Sequence, residues 1–191
     1  MSKHIKSNSI RIIAGKWRGR RLPVLEAQGL RPTTDRVRET LFSWLMHDVA
    51  GSRCLDVFAG SGALGLESLS RGAQQAHFFE SNSAAANNIN RSIDTLQPEL
   101  HGASAKVFTG DALKLLSAIA ADPFDIVFLD PPFKADVIQQ CVELLENNRW
   151  LSETALVYLE YDKQRDFVMQ PHWKLYRQGE TVQSKYQLYH R

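Results

Sequence analysis

The stretch from Cys54 to Glu67, CLDVFAGSGALGLE, most constrains what this chain can fold into. Leu55, Val57 and Phe58 have the β-branched and aromatic character of a buried strand. Gly60, Ser61 and Gly62 end that run with a turn, where glycine accepts backbone angles that a Cβ would forbid. Ala63, Leu64, Leu66 and Leu69 then recur at helical spacing as far as Ser70. A strand, a glycine turn and a helix make a cradle for a nucleotide-containing cofactor. The helix start offers unpaired N–H groups, and missing side chains let a ligand approach the backbone. Asp56 is discordant, because an acid inside a buried strand costs stability without a partner. It predicts a contact aimed at the cofactor.

Downstream, strands and helices alternate. Strands are predicted over 75–79, 105–109, 125–129 and 155–160, and helices over 82–96, 111–121 and 135–147, with Leu113, Leu116 and Ile119 inward. The run Asp125 to Leu129 is continuously apolar after its first residue, as expected of a strand covered on both faces. The tail, over 172–177 and 181–190, reads as a terminal hairpin. The fold class is therefore α/β: a doubly wound, mostly parallel sheet of seven strands, with its ligand at the C-terminal strand ends.

The N-terminal part differs in charge. Residues 1–38 hold ten Lys and Arg against Glu26 and Asp35, while the whole chain carries only +2. Such asymmetry points to a polyanion as partner. Segments 9–14 and 19–24 predict a small hairpin with a basic tip, and Pro23 places its second strand at an edge. Arg11, Lys16, Arg18, Arg20, Arg21 and Arg38 are candidate phosphate contacts, and Trp17 among them is a candidate to stack on a base. A helix follows Arg31-Pro32-Thr33-Thr34-Asp35, capped by Thr33 or Thr34. Val37, Leu41, Trp44 and Leu45 form its buried stripe, with Arg36, Arg38 and Glu39 outside, and it could lie over the cofactor as a lid.

Two motifs carry the chemistry. Gly60 to Gly65 matches G-x-G-x-x-G, with Glu80 twenty residues beyond the first glycine. Taken literally, that is a nicotinamide-dinucleotide fingerprint. Asp130-Pro131-Pro132-Phe133, closing the apolar strand, pulls elsewhere. Two prolines fix the backbone and remove donors, which leaves carbonyls free to accept. Asp130 and the Pro131 carbonyl make an acceptor pair for an exocyclic –NH₂, and Phe133 offers a face for a planar base.

Together, DVFAGSG (56–62) and DPPF (130–133) resemble the first and fourth motifs of class I S-adenosylmethionine methyltransferases. RIIAGKWRGRRL (11–22), RPTTDRVRETLFSWL (31–45), LDVFAGSGALGLE (55–67) and FLDPPF (128–133) more narrowly resemble the RsmD group, bacterial 16S ribosomal RNA guanine-N2 methyltransferases. The resemblance implies a Rossmann-like methyltransferase domain over 31–191, preceded by a basic hairpin extension over 1–30. It implies that Gly60, Ser61 and Gly62 pass beneath the methionyl part of S-adenosylmethionine, with Asp56 near its amino group and Phe58 beside them. Glu80 would accept from the ribose hydroxyls. Asp111, with Ala112, would receive the adenine amine. Thr34 and Arg36 would close over the cofactor. Asp130, Pro131, Pro132 and Phe133 would hold the target amine, and 16S RNA within a small ribosomal subunit would be the partner.

Guanine N2 is a weak nucleophile, so hydrogen bonds that favour a pyramidal nitrogen would promote transfer to an electrophile held in line. The target base must be unstacked. No metal is needed, and the six histidines show no ligand spacing. Three rivals remain open: adenine-N6 or cytosine-N4 methylation, a nicotinamide-dependent oxidoreductase, and a non-catalytic RNA-binding assembly factor. Cys54 and Cys141 are isolated, and no apolar run approaches the ~18 residues of a membrane span. A reduced, cytoplasmic protein without an obligatory protein partner is expected.

Overall fold

The computed structural model describes residues 9–24, 35–132, 137–165 and 167–191. Nine strands and five α-helices are described: β1 Ser9–Arg11, β2 Arg21–Pro23, α1 Asp35–Trp44, β3 Arg53–Asp56, α2 Ala63–Ser70, β4 Gln75–Glu80, α3 Ser83–Leu96, β5 Ser104–Thr109, α4 Ala112–Leu116, β6 Phe124–Leu129, α5 Ile138–Asn147, β7 Leu151–Asp162, β8 Lys174–Glu180 and β9 Ser184–His190. β1 and β2 pair antiparallel as a separate hairpin. The other seven strands form one sheet in the order β5-β4-β3-β6-β7-β9-β8. β3 to β7 run parallel, and β9 inserts antiparallel between β7 and β8.

The order reverses at β3, which has β4 on one side and β6 on the other. At such a switch point the connections leave in opposite directions and open a crevice over the strand ends. Cys54 pairs with Ile126 and Asp56 with Phe128, so the glycine turn after β3 and the proline turn after β6 leave the sheet side by side.

Each sheet face has its own core. Phe78, Phe128 and Tyr158 meet Phe42 of α1, Leu66 of α2 and Ile89 of α3 on one face. Phe79, Val127 and Leu159 meet Leu116 of α4 and Leu145 of α5 on the other. The third glycine of the fingerprint, Gly65, serves this packing. A Cβ there would collide with the Phe78 ring.

The hairpin belongs to the first core. Ile10, Ile12, Trp17 and Leu22 are buried with α1 and α2. The carboxylate of Glu67, fully buried in α2, accepts from the N–H groups of Ile13 (2.8 Å) and Ala14 (3.0 Å) and from Arg71 Nε (2.7 Å). Ser70 accepts from Trp17 N and Lys16 N, and donates its hydroxyl to Ala14 O. Gly15 lies so close that a Cβ would strike Ser70 O. The boundary expected near residue 30 lies outside the described residues.

Three expectations need correction. Trp17 is only 1% exposed, so its ring cannot stack on a base. It lies in the turn between β1 and β2, which is fastened to Ser70 of α2 through the Trp17 N–H, and its ring is buried in the first core. Arg38 is also 1% exposed and does not face solvent. It donates to Asp35 Oδ1 at 2.7 Å and to Arg11 O at 2.8 Å, because the hairpin covers that side of α1. Ile119 is 73% exposed, since α4 stops at Leu116. The carbonyls at that end are taken by Trp150 Nε1 and Asn148 Nδ2, which close the helix early. Trp44 is half-buried and stacks on Tyr186, with ring centroids 5.5 Å apart. The caps at Thr33 and Thr34 lie outside the described residues.

Candidate functional site

The crevice gathers acidic groups from four strand ends. Asp56 closes β3 and is 2% exposed, and its Oδ2 accepts from Gly65 N at 3.2 Å. Burial pushes its carboxyl up to about 7. The Gly65 N–H opposes that rise, and the charge of Glu80 adds to it. Glu80 closes β4 and braces two backbone turns, accepting from Gly60 N and from Asn82 N at 2.7 Å each. One oxygen serves each N–H, so two acceptor positions remain on the carboxylate. The glycine turn is thus held by the acid that the fingerprint spacing singled out.

Gly62 sits at φ 77° in the left-handed region, and a Cβ there would press on Ile89 at 3.1 Å. As the N-cap of α2 it offers no side-chain acceptor, and in that first turn Asp56 takes only the Gly65 N–H. Phe58 is half-buried against the second core, Gly60 is buried and Ser61 half-buried. Asp111 follows β5 and caps α4, accepting from Lys114 N at 3.0 Å, with Ala112 buried behind it.

Asp130 is half-buried at the end of β6, Pro131 is buried and Pro132 is exposed. Phe133 and Thr34 lie outside the described residues, and Arg36 is exposed on the first turn of α1.

The sequence reading missed a network next to Asp130. Tyr158, fully buried in β7, donates to Glu160 Oε2 at 2.9 Å. Ser184 Oγ donates to Glu160 Oε1 at 2.9 Å and lies 2.8 Å from Thr181 Oγ1. Burial first, then the charges of Glu160 and Asp130, hold the Tyr158 phenol well above its ordinary value, so it remains a donor. The pairing of β6, β7 and β9 brings Asp130 and Ser184 to the Tyr158–Glu160 pair of β7. The one hint in the sequence is an acid inside an apolar strand, the same hint as at Asp56.

The basic residues divide. Arg11 and Arg21 are exposed register partners across the hairpin. Arg18 is exposed at the tip, and Arg20 is paired with Glu99. Lys16 lies over the Trp17 ring at 4.8 Å; partial burial lowers its pKa, against the opposing pull of Glu99. The tip rests on the C-terminal half of α2, about 12 Å from the glycine turn at a rise of ~1.5 Å per residue. Pro23 lies nearer the crevice, where its carbonyl accepts from Asn88 Nδ2 at 2.6 Å. Cys54 and Cys141 are buried free thiols, pushed up by burial to about 11 and about 12. An open hollow of about 550 Å³ between Glu153, His172, Lys174, His190 and Arg191 lies at the other end of the strands, away from all of these acids. Among the described residues, no helix is long and apolar enough to cross a membrane.

The strand order, glycine turn and acids at successive strand ends define a Rossmann-like fold of the class I methyltransferase type. The S-adenosyl-L-homocysteine complex of Pyrococcus abyssi tRNA (uracil-54, C5)-methyltransferase has this fold, with a TM-score of 0.63 at 15% identity, over 97% of this chain and 44% of that one. Residues 10–190 match the family model described as conserved hypothetical protein 95, and the chain belongs to that family, the RsmD family. Ribosomal RNA small subunit methyltransferase D of Escherichia coli (strain K12) is 44% identical over 98% of this chain and 93% of that protein. The Haemophilus influenzae protein of the same name is 45% identical over 94% of this chain and 93% of its own length. The solved structure of the Escherichia coli protein yhhF, provisionally named a methyltransferase, gives a TM-score of 0.86 at 44% identity, over 96% of this chain and 98% of that one.

Proposed function

We propose that this chain transfers a methyl group from S-adenosylmethionine to the exocyclic N2 of a guanine in 16S ribosomal RNA. The observation that carries the reading is a crevice joining the glycine turn to Asp130-Pro131, in a chain 44% identical over nearly its whole length to a ribosomal RNA small subunit methyltransferase.

The residues present fit the cofactor. A side chain at Gly62 would crowd Ile89, and the start of α2, whose N-cap Gly62 has no side chain to accept there, suits a carboxylate. Gly60, Ser61 and Gly62 would pass beneath the methionyl part. Asp56 would face its ammonium, and Phe58 would flank the turn. The two unused acceptor positions of Glu80 would take the ribose hydroxyls. Asp111 and Ala112 would meet the adenine, and Thr34 and Arg36 would close above. The bound cofactor supplies an electrophilic methyl group.

The chain's own contribution is to hold the amine. Asp130 and the Pro131 carbonyl accept its two N–H bonds, which favours a pyramidal nitrogen with its lone pair directed at the methyl group. Pro132 stiffens the turn and Phe133 stacks on the base. The proton leaves after transfer, to Asp130 or to water.

Arg11 and Arg21 stand directly opposite each other, an arrangement that costs up to ~1 kcal/mol without a counter-anion. An RNA phosphate between them supplies one. Lys16, Arg18 and Arg20 extend the same stripe, and Arg38 supports it by holding the Arg11 carbonyl. A small ribosomal subunit in the cytoplasm is the expected substrate.

The test incubates labelled S-adenosylmethionine with small subunits from a strain lacking the protein, followed by nucleoside analysis. N2-methylguanosine at one position is the expected product. Label in N6-methyladenosine or N4-methylcytidine instead would overturn the choice of base.

A further inference from the structure

We infer that Glu160 is a specificity-determining residue of this reaction, accepting the N1–H of the target guanine while Asp130 and Pro131 hold its N2 amine. The inference rests on the guanine reading above and adds the residue that enforces it.

Its place in the sheet comes first. Leu129 pairs with Leu159 across β6 and β7, so Asp130 and Glu160 are the next residues on adjacent parallel strands, about 5 Å apart. Phe128 pairs with Tyr158, and their rings meet with centroids 6.4 Å apart. Side chains alternate along a strand, so Asp130 and Glu160 project on that same face. Both acids therefore stand together at the crevice end of the sheet.

The chemistry of Glu160 comes second. It is 6% exposed, and its partners are two neutral hydroxyls, Tyr158 and Ser184. Among the described residues no cation pairs with it. A buried carboxylate held only by hydroxyls is expensive. Each hydroxyl engages a different oxygen of Glu160. Two acceptor positions remain on the carboxylate.

Guanine presents N1–H directly beside its N2 amine, two donors on one edge. Adenine and cytosine each present a ring-nitrogen lone pair beside their amine instead, which a carboxylate would repel. As the methyl group arrives, positive charge spreads into the guanine and strengthens its N1–H as a donor. A fixed carboxylate facing that hydrogen is then worth more in the transition state than in the ground state. Two carboxylates on neighbouring strands thus read two neighbouring donors. The hydroxyls of Tyr158 and Ser184 hold Glu160 in place and belong to positioning, not to contact with the base.

The test compares small subunits reconstituted with 16S RNA carrying either guanosine or 2-aminopurine at the position that the wild-type protein methylates. 2-Aminopurine keeps the amine and has a lone pair at N1. Wild type should show a kcat/KM lower by about 10- to 100-fold on 2-aminopurine, the loss of one hydrogen bond to a charged acceptor. Glu160→Gln should lower transfer to guanosine and erase that preference, with S-adenosylmethionine affinity unchanged, because the two changes remove one interaction. If Glu160→Gln fails to fold, Glu160→Asp, which withdraws the charge by one methylene, should shrink the preference. Equal rates of wild type on both substrates overturn the inference. So does a variant that slows both by the same factor, which is what a purely structural role produces. Absence of transfer to guanosine by wild type would instead refute the guanine reading itself.

Discussion

The two halves of the crevice solve the same problem differently. On the cofactor side the acids accept from backbone N–H groups: Asp56 from Gly65 in the helix after its own strand, Glu80 from Asn82 and from Gly60 in the neighbouring turn, and Asp111 from Lys114. On the target side, Glu160 is held by Tyr158 and by Ser184, which arrives from a strand 24 residues later. The first half is built on backbone N–H groups of the turns and helix starts after β3, β4 and β5, and the second on side-chain hydroxyls of β7 and β9. Turns leave a recognisable spacing in the sequence, whereas hydroxyls met within the sheet leave only an unexplained acid.

The sharpest break between the halves should come from Asp130→Ala. Methyl transfer to subunits should fall by about 10³-fold or more, while S-adenosylmethionine affinity by calorimetry changes only a few-fold, since the lost acceptor serves the transition state. Comparable losses in both would mean that the two halves do not function separately. Glu80→Ala should do the reverse. Cofactor affinity should fall by about 10- to 100-fold, and the protein should lose about 1–3 kcal/mol in urea unfolding, because Gly60 and Asn82 are left without their acceptor. Unchanged stability would show that the glycine turn holds itself.

Asp56 allows a finer cut. Its folded carboxyl sits at about 7, above the ordinary carboxylate range of the unfolded chain, so the folded state binds the extra proton. Its contribution to stability is therefore present in acid and lost as pH rises from about 4 to 7. A methionyl ammonium beside it would lower that pKa, so cofactor affinity should rise with pH up to about 7 and level off above. Calorimetry across pH checks the sign, and Asp56→Asn should flatten the curve. A curve that stays sloped in the variant would assign the dependence to another group. The smallest effect belongs to the RNA stripe. Replacing Arg11 and Arg21 by Ala should reduce the slope of log affinity against log salt by about 2. An unchanged slope would remove the hairpin from the RNA contact.

What the sequence made legible follows the same division. The β3 turn and the proline turn after β6 are local, the Glu80 spacing is set by the single strand–helix–strand unit from β3 to β4, and all three emerge where the motifs place them. Burial that depends on a distant partner was hidden. Arg38 reads as a solvent-facing charge until the hairpin covers α1 and offers the Arg11 carbonyl. Trp17 reads as a ring among cations until α2 provides the core that takes it. Ile119 reads as one more helical position, because nothing near it in sequence announces that Trp150 and Asn148 end α4 early.

The clamp on the hairpin has a consequence for how this architecture can be recombined. Glu67 is fully buried and is answered by two hairpin N–H groups and Arg71, and Ser70 abuts Gly15 without room for a methyl group. Removing residues 9–24 would strip two of those donors from a buried charge and bare the apolar side of α2, so a shortened chain inherits a fault at the helix that begins with the glycine turn. The basic stripe is therefore not a portable attachment. Transplanted onto another methyltransferase, it would need Glu67 and Ser70 of the receiving helix to travel with it.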